Sequence, residues 1–578
     1  MSNQAVEYEF EIDSEKMQNN YVVEKCEWLQ LQDNNSLNYD NATINFNSVN
    51  VSGSDPNIQV SLSNGYVNIP FTTTLTAVGC TFTQSDSAST VMDSNKNACS
   101  VKGYHHFIDK SYAKMGSTQL YEEVEHMNVI INEDLKKMSL DEKTLYGNKL
   151  NFELDSVDSF KYSKTAVGES NNTYSASYSE NVNTGHLKRM KQSNAHFNDS
   201  YKTIFGDNAT NESLQCKMVK NTPTEIQFSG VASVPLSVIH PVFKNMPTMS
   251  SIKKMELRLR TNLSKNNTWT VFYTGKTATD TAFPVLGVEA TQPQGNTCPI
   301  LLSNAGSSNG AISNFGLTLR ATTNDAECSV KCNIKIGYTV PSSTGPTQEP
   351  CYLYIPTYKM TPFYANKILN ASQHRLLYTD YATTWFRGRY KTNAISEQFQ
   401  GSHQRLRAIH IIPFFSNKNT TGTFNGNTNP LMLEPFKSAV SSAPTTCSPC
   451  RITDFNIKVG ANALFSSPLK YTHEFYEQHK LNLLGKINGN SNKQEIMYSG
   501  LINKDMFEKC YGVYSFNLQN ITNESLDDEP KDIFLTWKTN VGDDTNNAIK
   551  YDFFVILEKQ SEINLDRSTG MFALKNVV

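Results

Sequence analysis

Alternation of apolar and polar side chains with a period of two recurs along the whole chain of 578 residues. Clear alternation occurs at 255–259 and 332–340, and further strand candidates lie at 408–415, 452–459, 533–537 and 551–557. Because successive side chains of a strand point to opposite faces, this pattern predicts half-buried β-strands. No alternation of strands with long helices occurs along the sequence, so we predict an all-β fold of repeated sandwiches.

One turn signal is strong enough to predict a specific hairpin. Asn64-Gly65 separates two alternating runs at 58–62 and 67–71. Asn-Gly is the preferred pair for a two-residue type I′ turn, which needs a positive φ at both positions. We therefore expect these two runs to pair directly.

Helices are predicted only as short elements within loops. The spacing of apolar residues between Leu120 and Ile131 places them on one helical face. A second helix is expected from Ser467-Pro468 to Gly485, with Tyr471, Phe475 and Leu483 facing inward, and a third over 503–511.

The length exceeds what a single core usually takes, so we predict two consecutive sandwiches. A loop-rich stretch at 283–314, with several Pro and Gly, is the expected boundary. This division gives an N-terminal arm at 1–56, a first sandwich at 57–285 and a second at 286–578 with a C-terminal tail. The first sandwich carries an Asn-rich insertion at 161–221.

Charge and terminal composition exclude several classes of protein. The formal net charge is −3, and only 19% of residues are charged. The start of the chain is acidic, with Glu7, Glu9, Glu11 and Asp13, so it cannot serve as a basic genome-binding arm. It lacks the pattern of a signal peptide, and no apolar run reaches transmembrane length, so we expect a soluble, non-secreted protein.

Eleven cysteines are spread along the chain, an odd number that does not suggest a disulfide framework. Two close pairs, Cys328/Cys332 and Cys447/Cys450, could together offer four thiolates to zinc. Their separation is not that of a compact zinc module, so reduced, half-buried thiols are the favoured interpretation. We expect no metal and no cofactor.

None of the candidate catalytic motifs has the residue spacing that its chemistry requires. Thr274–Thr277 resembles the end of a P-loop but lacks its first glycine. His473 and His479 are six residues apart, so they cannot share a helical face as zinc ligands would. His105-His106 is expected to be a loop or core pair. Since no nucleophile motif occurs either, the chain is not expected to be an enzyme.

Three basic clusters lie at 186–191, 387–391 and 405–407. Aromatic residues interleave the second cluster, which could therefore face nucleic acid. The alternative is a set of Arg residues that bridge neighbouring strands or subunits. The negative overall charge favours this alternative, and no sequence-specific nucleic-acid binding is expected.

Three stretches, in this order, resemble one known family. The first is SVPLSVIHPVFK at 233–244 with MELRL at 255–259. The second is EPF at 434–436, SAPTTCSP at 442–449 and ITDFNIKVG at 452–460. The third is YTHEF at 471–475, GLI at 500–502, Tyr511 and INLDRSTG at 563–570. Together they resemble the double jelly-roll major capsid proteins of Polinton-like viruses, adintoviruses and virophages, relatives of the adenovirus hexon.

The resemblance implies two consecutive eight-stranded jelly rolls with short helices in loops. It implies a viral major capsid protein that forms homotrimers, which are pseudo-hexameric capsomers of an icosahedral shell around a DNA genome. The implied partners are neighbouring capsomers, penton or minor capsid proteins and a host receptor. The implied location is the virion, assembled in the host nucleus or cytoplasm.

Two alternatives remain open at this point: a single-sandwich viral spike or attachment protein, and a carbohydrate-binding β protein. A separate hypothesis concerns the chain ends. The arm before Asn57 and the tail after Ser561 lie outside the predicted sandwiches, so both are expected to cross subunit boundaries.

Overall fold

The structure is a computed structural model. It describes residues 22–40, 43–48, 55, 57–84, 91–92, 99–138, 143–157, 160–164, 174–178, 185, 189, 218–222, 225–247, 250, 252, 254–262, 268–273, 300–302, 317–321, 328–342, 345–370, 374–390, 394–415, 444–447, 451–487, 501–518, 529–539, 550–566 and 571–574.

Antiparallel strands dominate the described part of the chain. The strands of the first two-thirds are β1 (Val23–Gln32), β2 (Thr43–Ser48), β3 (Ile58–Val60), β4 (Tyr66–Val78), β5 (Cys80–Gln84), β6 (Val91–Met92), β7 (Cys99–Val101), β8 (Ile108–Met115), β9 (Thr118–Gln119), β10 (Phe160–Lys164), β11 (Tyr174–Tyr178), β12 (Met218–Thr222), β13 (Glu225–Pro235), β14 (Met255–Thr261), β15 (Thr268–Tyr273), β16 (Ile300–Leu302), β17 (Leu317–Ala321), β18 (Cys328–Ile336), β19 (Tyr338–Ser342), β20 (Gly345–Gln348) and β21 (Tyr352–Met360). The remaining strands are β22 (His374–Tyr390), β23 (Ile395–Gln398), β24 (Leu406–Phe415), β25 (Ile452–Val459), β26 (Asn462–Ala463), β27 (Tyr514–Asn517), β28 (Ile533–Thr539), β29 (Lys550–Asp566) and β30 (Met571–Leu574).

Helices are short and lie between strands. They are α1 (Met127–Lys136), α2 (Asn148–Leu150), α3 (Leu236–Ile239), α4 (Pro241–Lys244), α5 (Pro362–Asn370), α6 (Thr472–Ile487) and α7 (Lys504–Lys509), with a 3-10 turn at Tyr104–Phe107 and a π-helical turn at Lys143–Gly147. The predicted helices at 467–485 and 503–511 correspond to α6 and α7, and Asn503 caps α7 by accepting from the Met506 N–H at 2.9 Å. The helix predicted between Leu120 and Ile131 begins later, at Met127.

Eight strands of the first half form two sheets around one core. Four of them have the order β1-β21-β4-β13 within a nine-stranded sheet, and the other four form a sheet with the order β2-β14-β8-β9. In chain order, the strands lettered B to I are β1, β2, β4, β8, β9, β13, β14 and β21. The two orders are then B-I-D-G and C-H-E-F, which is the strand order of a jelly roll. Apolar side chains of both sheets, such as Ile69 of β4 and Leu257 of β14, pack into the same core.

The second half repeats this order. Its sheets are β22-β29-β24-β27 and β23-β28-β25-β26, which are again B-I-D-G and C-H-E-F. Rings from the two sheets meet across the core: Phe455 stacks on Phe516 at 4.2 Å, and Trp537 meets Phe553 edge-on at 5.2 Å. The chain is a double jelly roll. The predicted all-β fold class is confirmed.

The predicted hairpin at Asn64-Gly65 is wrong. β3 and β4 do not pair with each other; both pair with β21, Val60 opposite Thr357 and Tyr66 opposite Tyr354. The Gly65 N–H donates to the Leu62 carbonyl at 3.1 Å, and Gly65 lacks the positive φ of a type I′ turn. A Cβ at Gly65 would lie 2.9 Å from Leu236 Cδ1 and 3.2 Å from the Tyr354 carbonyl oxygen, so a larger residue would crowd these neighbours.

The predicted division of the chain also needs correction. β1 and β2 lie within the predicted arm 1–56, yet they are strands B and C of the first roll. That roll extends to β21 at Met360, well beyond residue 285, and the second roll starts with β22 at His374. The sequence pattern did not predict β1 as a strand, because β1 exposes most of its side chains and so lacks a clear apolar alternation.

The C-terminal tail after Ser561 is likewise part of a sheet where the structure describes it. β29 continues to Asp566, and β30 pairs with it, Leu574 opposite Ile563. Residues 562–566 and 571–574 therefore belong to a sheet of the second roll. Residues 567–570 lie outside the described residues.

Candidate functional site at the seam between the two jelly rolls

The segment that follows strand F of the first roll includes α1. This segment lies across the outer face of the second roll's B-I-D-G sheet. His126 precedes α1 and has a positive φ of 60°. Its carbonyl accepts from the Val129 N–H at 2.9 Å. The buried His126 ring lies edge-on to Trp385 at 5.4 Å and to Phe554 at 5.6 Å. The start of α1 is thus fixed on strands B and I of the second roll.

The end of α1 is tied to the same sheet by charged groups. The Tyr381 hydroxyl donates to Asp134 Oδ2 at 2.5 Å. Lys137 Nζ lies 3.0 Å from Asp134 Oδ1, 3.3 Å from Glu558 Oε1 and 3.3 Å from His410 Nε2. Buried charges are costly unless they are paired, so these contacts select one position of α1 on the sheet.

Behind Lys137, a chain of buried polar groups continues into the second roll. His410 Nε2 lies 2.6 Å from Glu558 Oε1, and Ser515 Oγ lies 2.8 Å from His410 Nδ1 and 3.2 Å from His479 Nδ1. Burial, together with electrostatic repulsion from His410 and Lys137, lowers the pKa of His479 to about 3. His479 is therefore neutral at physiological pH.

Ser515, His410 and Glu558 have the order of contacts found in a hydrolase triad. However, each of the three residues is only 1% exposed, and the Glu558 carboxylate is also paired with Lys137. No substrate can reach the Ser515 hydroxyl in this structure. The arrangement satisfies buried polar groups and holds the seam together.

A second buried cluster joins the rolls around Asp155. Arg189 donates to Asp155 Oδ1 and, at 2.5 Å, to the Glu153 carbonyl. Thr445 donates to Asp155 Oδ2 through its N–H at 3.1 Å and its hydroxyl at 2.5 Å. The Tyr511 hydroxyl donates to the Asp155 carbonyl at 2.7 Å, and burial with the adjacent Asp155 charge raises the Tyr511 pKa well above its ordinary value. Asp155 and Arg189, which precede the second roll in the chain, are thereby bound to Thr445 and Tyr511 of the second roll.

A third contact is built on His240. Its ring stacks on Tyr121 at 3.8 Å, and its Nδ1 accepts from the Val242 N–H at 3.2 Å. The proton of the neutral ring is therefore on Nε2, which lies 3.5 Å from Asp380 Oδ1 on β22. Burial lowers the His240 pKa, and Asp380 opposes this shift.

The basic clusters mostly bridge strands within the chain, as the alternative interpretation predicted. Arg387 also stacks on the Trp385 ring, with its guanidinium carbon 4.1 Å from the ring centroid. The ion pairs are Arg387–Asp552 at 3.2 Å, Arg389–Glu397 at 2.5 Å and Arg405–Glu562 at 3.3 Å. In the cluster 186–191 the structure describes only Arg189, which is the buried partner of Asp155.

The histidines considered in the sequence are structural. His105 and His106 are buried core residues with ring centroids 4.2 Å apart, and burial lowers the pKa of His105 to about 3. The prediction that His473 and His479 do not share a helical face is confirmed. The side chain of His473 is 68% exposed, whereas His479 is buried.

Of the four cysteines considered as zinc ligands, Cys447 is the one whose side chain the structure describes. Cys447 is buried, its Sγ lies 3.5 Å from the Cys510 carbonyl, and burial raises its pKa to about 12, so it is a thiol. The side chains of Cys328 and Cys332 and the whole of Cys450 lie outside the described residues. Within the described ranges, no group of three or more His, Cys, Asp or Glu could hold a metal ion.

No described helix is long and apolar enough to span a membrane.

Sequence reasoning missed the seam. Asp155, Lys137 and Glu558 carry no motif, because their partners are far away along the chain. One signal was available: the run 551–557 is apolar at six of seven positions. Such a run is typical of a strand buried on both faces, and β29 is indeed covered on one face by its own core and on the other by the first roll.

No protein-family model and no curated protein sequence matches the chain. Solved structures do. A chain of the Sputnik virophage, determined by cryo-EM, is 10% identical with a TM-score of 0.49, over 97% of this chain and 91% of that one. The mavirus major capsid protein is 10% identical with a TM-score of 0.40, over 94% and 89%. The Faustovirus major capsid protein is 10% identical with a TM-score of 0.41, over 94% and 91%.

Proposed function

We propose that the chain is the major capsid protein of a DNA virus and forms homotrimeric, pseudo-hexameric capsomers of an icosahedral shell. The observation that carries this proposal is the pair of complete jelly rolls locked by a buried seam. A rigid pair of equivalent rolls is the unit needed for three chains to present six sandwiches. The three stretches that resemble double jelly-roll capsid proteins support the same function.

The chemistry of the seam supports a structural rather than a catalytic role. Its titratable groups are buried and paired with one another, as Asp155 is with Arg189 and Glu558 with His410. Such groups stabilise one relative position of the rolls and offer no accessible nucleophile. We infer that the protein acts by assembly and is not an enzyme.

The proposed partners are further copies of this chain, neighbouring capsomers and penton or minor capsid proteins, with a host receptor on the outer surface. The proposed location is the virion. Arg387, Arg389 and Arg405 are neutralised within the chain, so we do not assign them to the genome.

Electron microscopy of the purified chain tests this function. We expect particles with a six-sided outline that form flat hexagonal arrays when concentrated. Trimers that never tile would favour a spike or attachment protein. Specific binding to a glycan array by a monomeric chain would favour a carbohydrate-binding protein and would contradict the capsid proposal.

A further inference from the structure

The two rolls place equivalent residues before their F–G helices. His126 precedes α1, and Tyr471 precedes α6. The His126 carbonyl accepts from the N–H groups three and four residues ahead, at 2.9 and 3.4 Å. The Tyr471 carbonyl does the same with Glu474 and Phe475, at 3.0 and 3.4 Å. The two helices therefore start in the same way at the same point of the fold.

Within the chain, the His126 position has a defined partner. The His126 ring lies against Trp385 on strand B and Phe554 on strand I of the second roll. It thereby helps to cover the outer face of that roll's B-I-D-G sheet.

The first roll has an aromatic group at the corresponding place, but it is open. Trp28 on strand B points to the outer face of the first B-I-D-G sheet and is 55% exposed. Its ring meets Tyr66 edge-on at 5.6 Å, and Tyr66 stacks on Tyr354 of strand I at 5.0 Å. We call Trp28, Tyr66 and Tyr354 the aromatic face.

Tyr471 is open as well. It is 70% exposed, the highest value among the large hydrophobic residues that the structure describes as exposed. Its backbone is nevertheless held in place, because the Glu474 carboxylate accepts from the N–H groups of Lys470 and Tyr471 at 2.8 and 3.0 Å. A large aromatic side chain on a fixed backbone is typical of an interface anchor.

We propose that Tyr471 of one copy packs on the aromatic face of the next copy, repeating between chains the contact that His126 makes with Trp385 within the chain. This inference rests on the proposed trimer and names its interface. The second roll of one copy would meet the first roll of the next, so the contact is head-to-tail and closes when the ring is complete. The partner is therefore a second copy of this chain.

Disulfide trapping tests the contact directly. Trp28→Cys and Tyr471→Cys are introduced together in a Cys26→Ser background, since Cys26 is exposed on the same strand. Under mild oxidation, we expect covalent species of up to three chains on a non-reducing gel. When the two single variants are mixed and reassembled, covalent dimers are expected, which establishes that the bond joins different copies.

Alanine substitutions give an independent measurement. Trp28→Ala and Tyr471→Ala are each expected to weaken self-association about tenfold or more, as for central aromatic anchors. Phe534→Ala is the matched control, because Phe534 is an exposed aromatic residue on the opposite, C-H-E-F sheet of the second roll. It should leave the native mass unchanged, and near-ultraviolet circular dichroism should confirm that all three variants are folded.

The outcomes separate this inference from the proposed function. If the wild-type chain is a trimer, the interface is overturned when the Trp28→Cys/Tyr471→Cys variant gives no covalent cross-link and both alanine variants still form trimers; the capsid proposal then stands. A wild-type chain that stays monomeric overturns both.

Discussion

Arg189 and Asp155 form the most fully buried ion pair of the seam, with side chains 1% and 0% exposed. Charges removed from water in this way contribute little net stability as a pair, but each becomes costly when its partner is removed. Thr445 and Tyr511 complete the hydrogen bonding of Asp155 from the second roll. At the scale of single residues, the relative position of the rolls therefore depends on a few buried polar groups.

Asp155→Asn is expected to lower the free energy of unfolding by about 3–5 kcal/mol, because it leaves the Arg189 cation buried without a counter-charge. Denaturant unfolding of the purified protein measures this. The control is Asp505→Asn, which breaks an exposed pair with Lys509 at 2.9 Å and should cost at most about 1 kcal/mol. Equal losses in the two variants would show that the buried pair has no special role.

His479 should make stability depend on pH. Its pKa is about 3 in the folded chain, against an ordinary histidine value of 6.5. Between these values the unfolded chain binds a proton that the folded chain excludes, so the free energy of unfolding falls as the pH falls from 6.5 towards 3. Above pH 6.5 the site is neutral in both states and has no effect.

Replacing His479 with Gln is expected to flatten this dependence by up to about 1.4 kcal/mol per pH unit within the window. The measurement is a series of denaturant midpoints from pH 7 to pH 4. His473→Gln, at an exposed position of the same helix, should leave the slope unchanged. An unaltered slope in His479→Gln would contradict the assignment of a neutral buried ring.

At the scale of elements, tight turns set the ends of several strands. Gly337, between β18 and β19, has a φ of 77°, and a Cβ there would lie 2.4 Å from Tyr39 Cε2. The Tyr39 ring cannot easily retreat, since its hydroxyl donates to Asp33 at 2.7 Å. Gly116, at the turn after β8, has a similar φ of 61° but nothing within 4 Å.

Alanine at these two positions separates backbone strain from crowding. Both variants incur the strain of a positive φ, about 1–2 kcal/mol. Gly337→Ala should lose roughly a further 1–3 kcal/mol because the new methyl group overpacks against Tyr39. The comparison is made by thermal unfolding, and equal shifts of Tm would contradict the predicted crowding.

The sequence predicts individual elements better than their pairing. The period of two identified β14, β25 and β28 because each buries only one face. The Asn64-Gly65 signal misled because local turn chemistry does not reveal that β21, nearly three hundred residues later, pairs with both flanking strands. A helix after Ser467-Pro468 was predicted, but α6 begins only at Thr472. The expectation that Tyr471 faces inward is wrong, since its side chain is 70% exposed.

At the scale of the whole molecule, the boundaries were missed for the same reason. β1 pairs with β21, Trp28 opposite Pro356, so the first roll closes only after more than three hundred residues. The glycine- and proline-rich stretch 283–314 lies between β15 and β21 of the first roll, whereas the segment between the rolls, 361–373, contains one proline and no glycine. Composition therefore predicted the wrong boundary. The family resemblance supplied the double jelly roll, whereas the residues alone indicated only repeated sandwiches.

The native mass in solution, measured by light scattering on a sizing column, tests the central proposal most directly. A ring of three copies predicts about 194 kDa, three times the chain mass of 64.8 kDa. A single species at 64.8 kDa over the full concentration range would contradict the account. It would leave Trp28 and Tyr471 exposed with no copy to cover them.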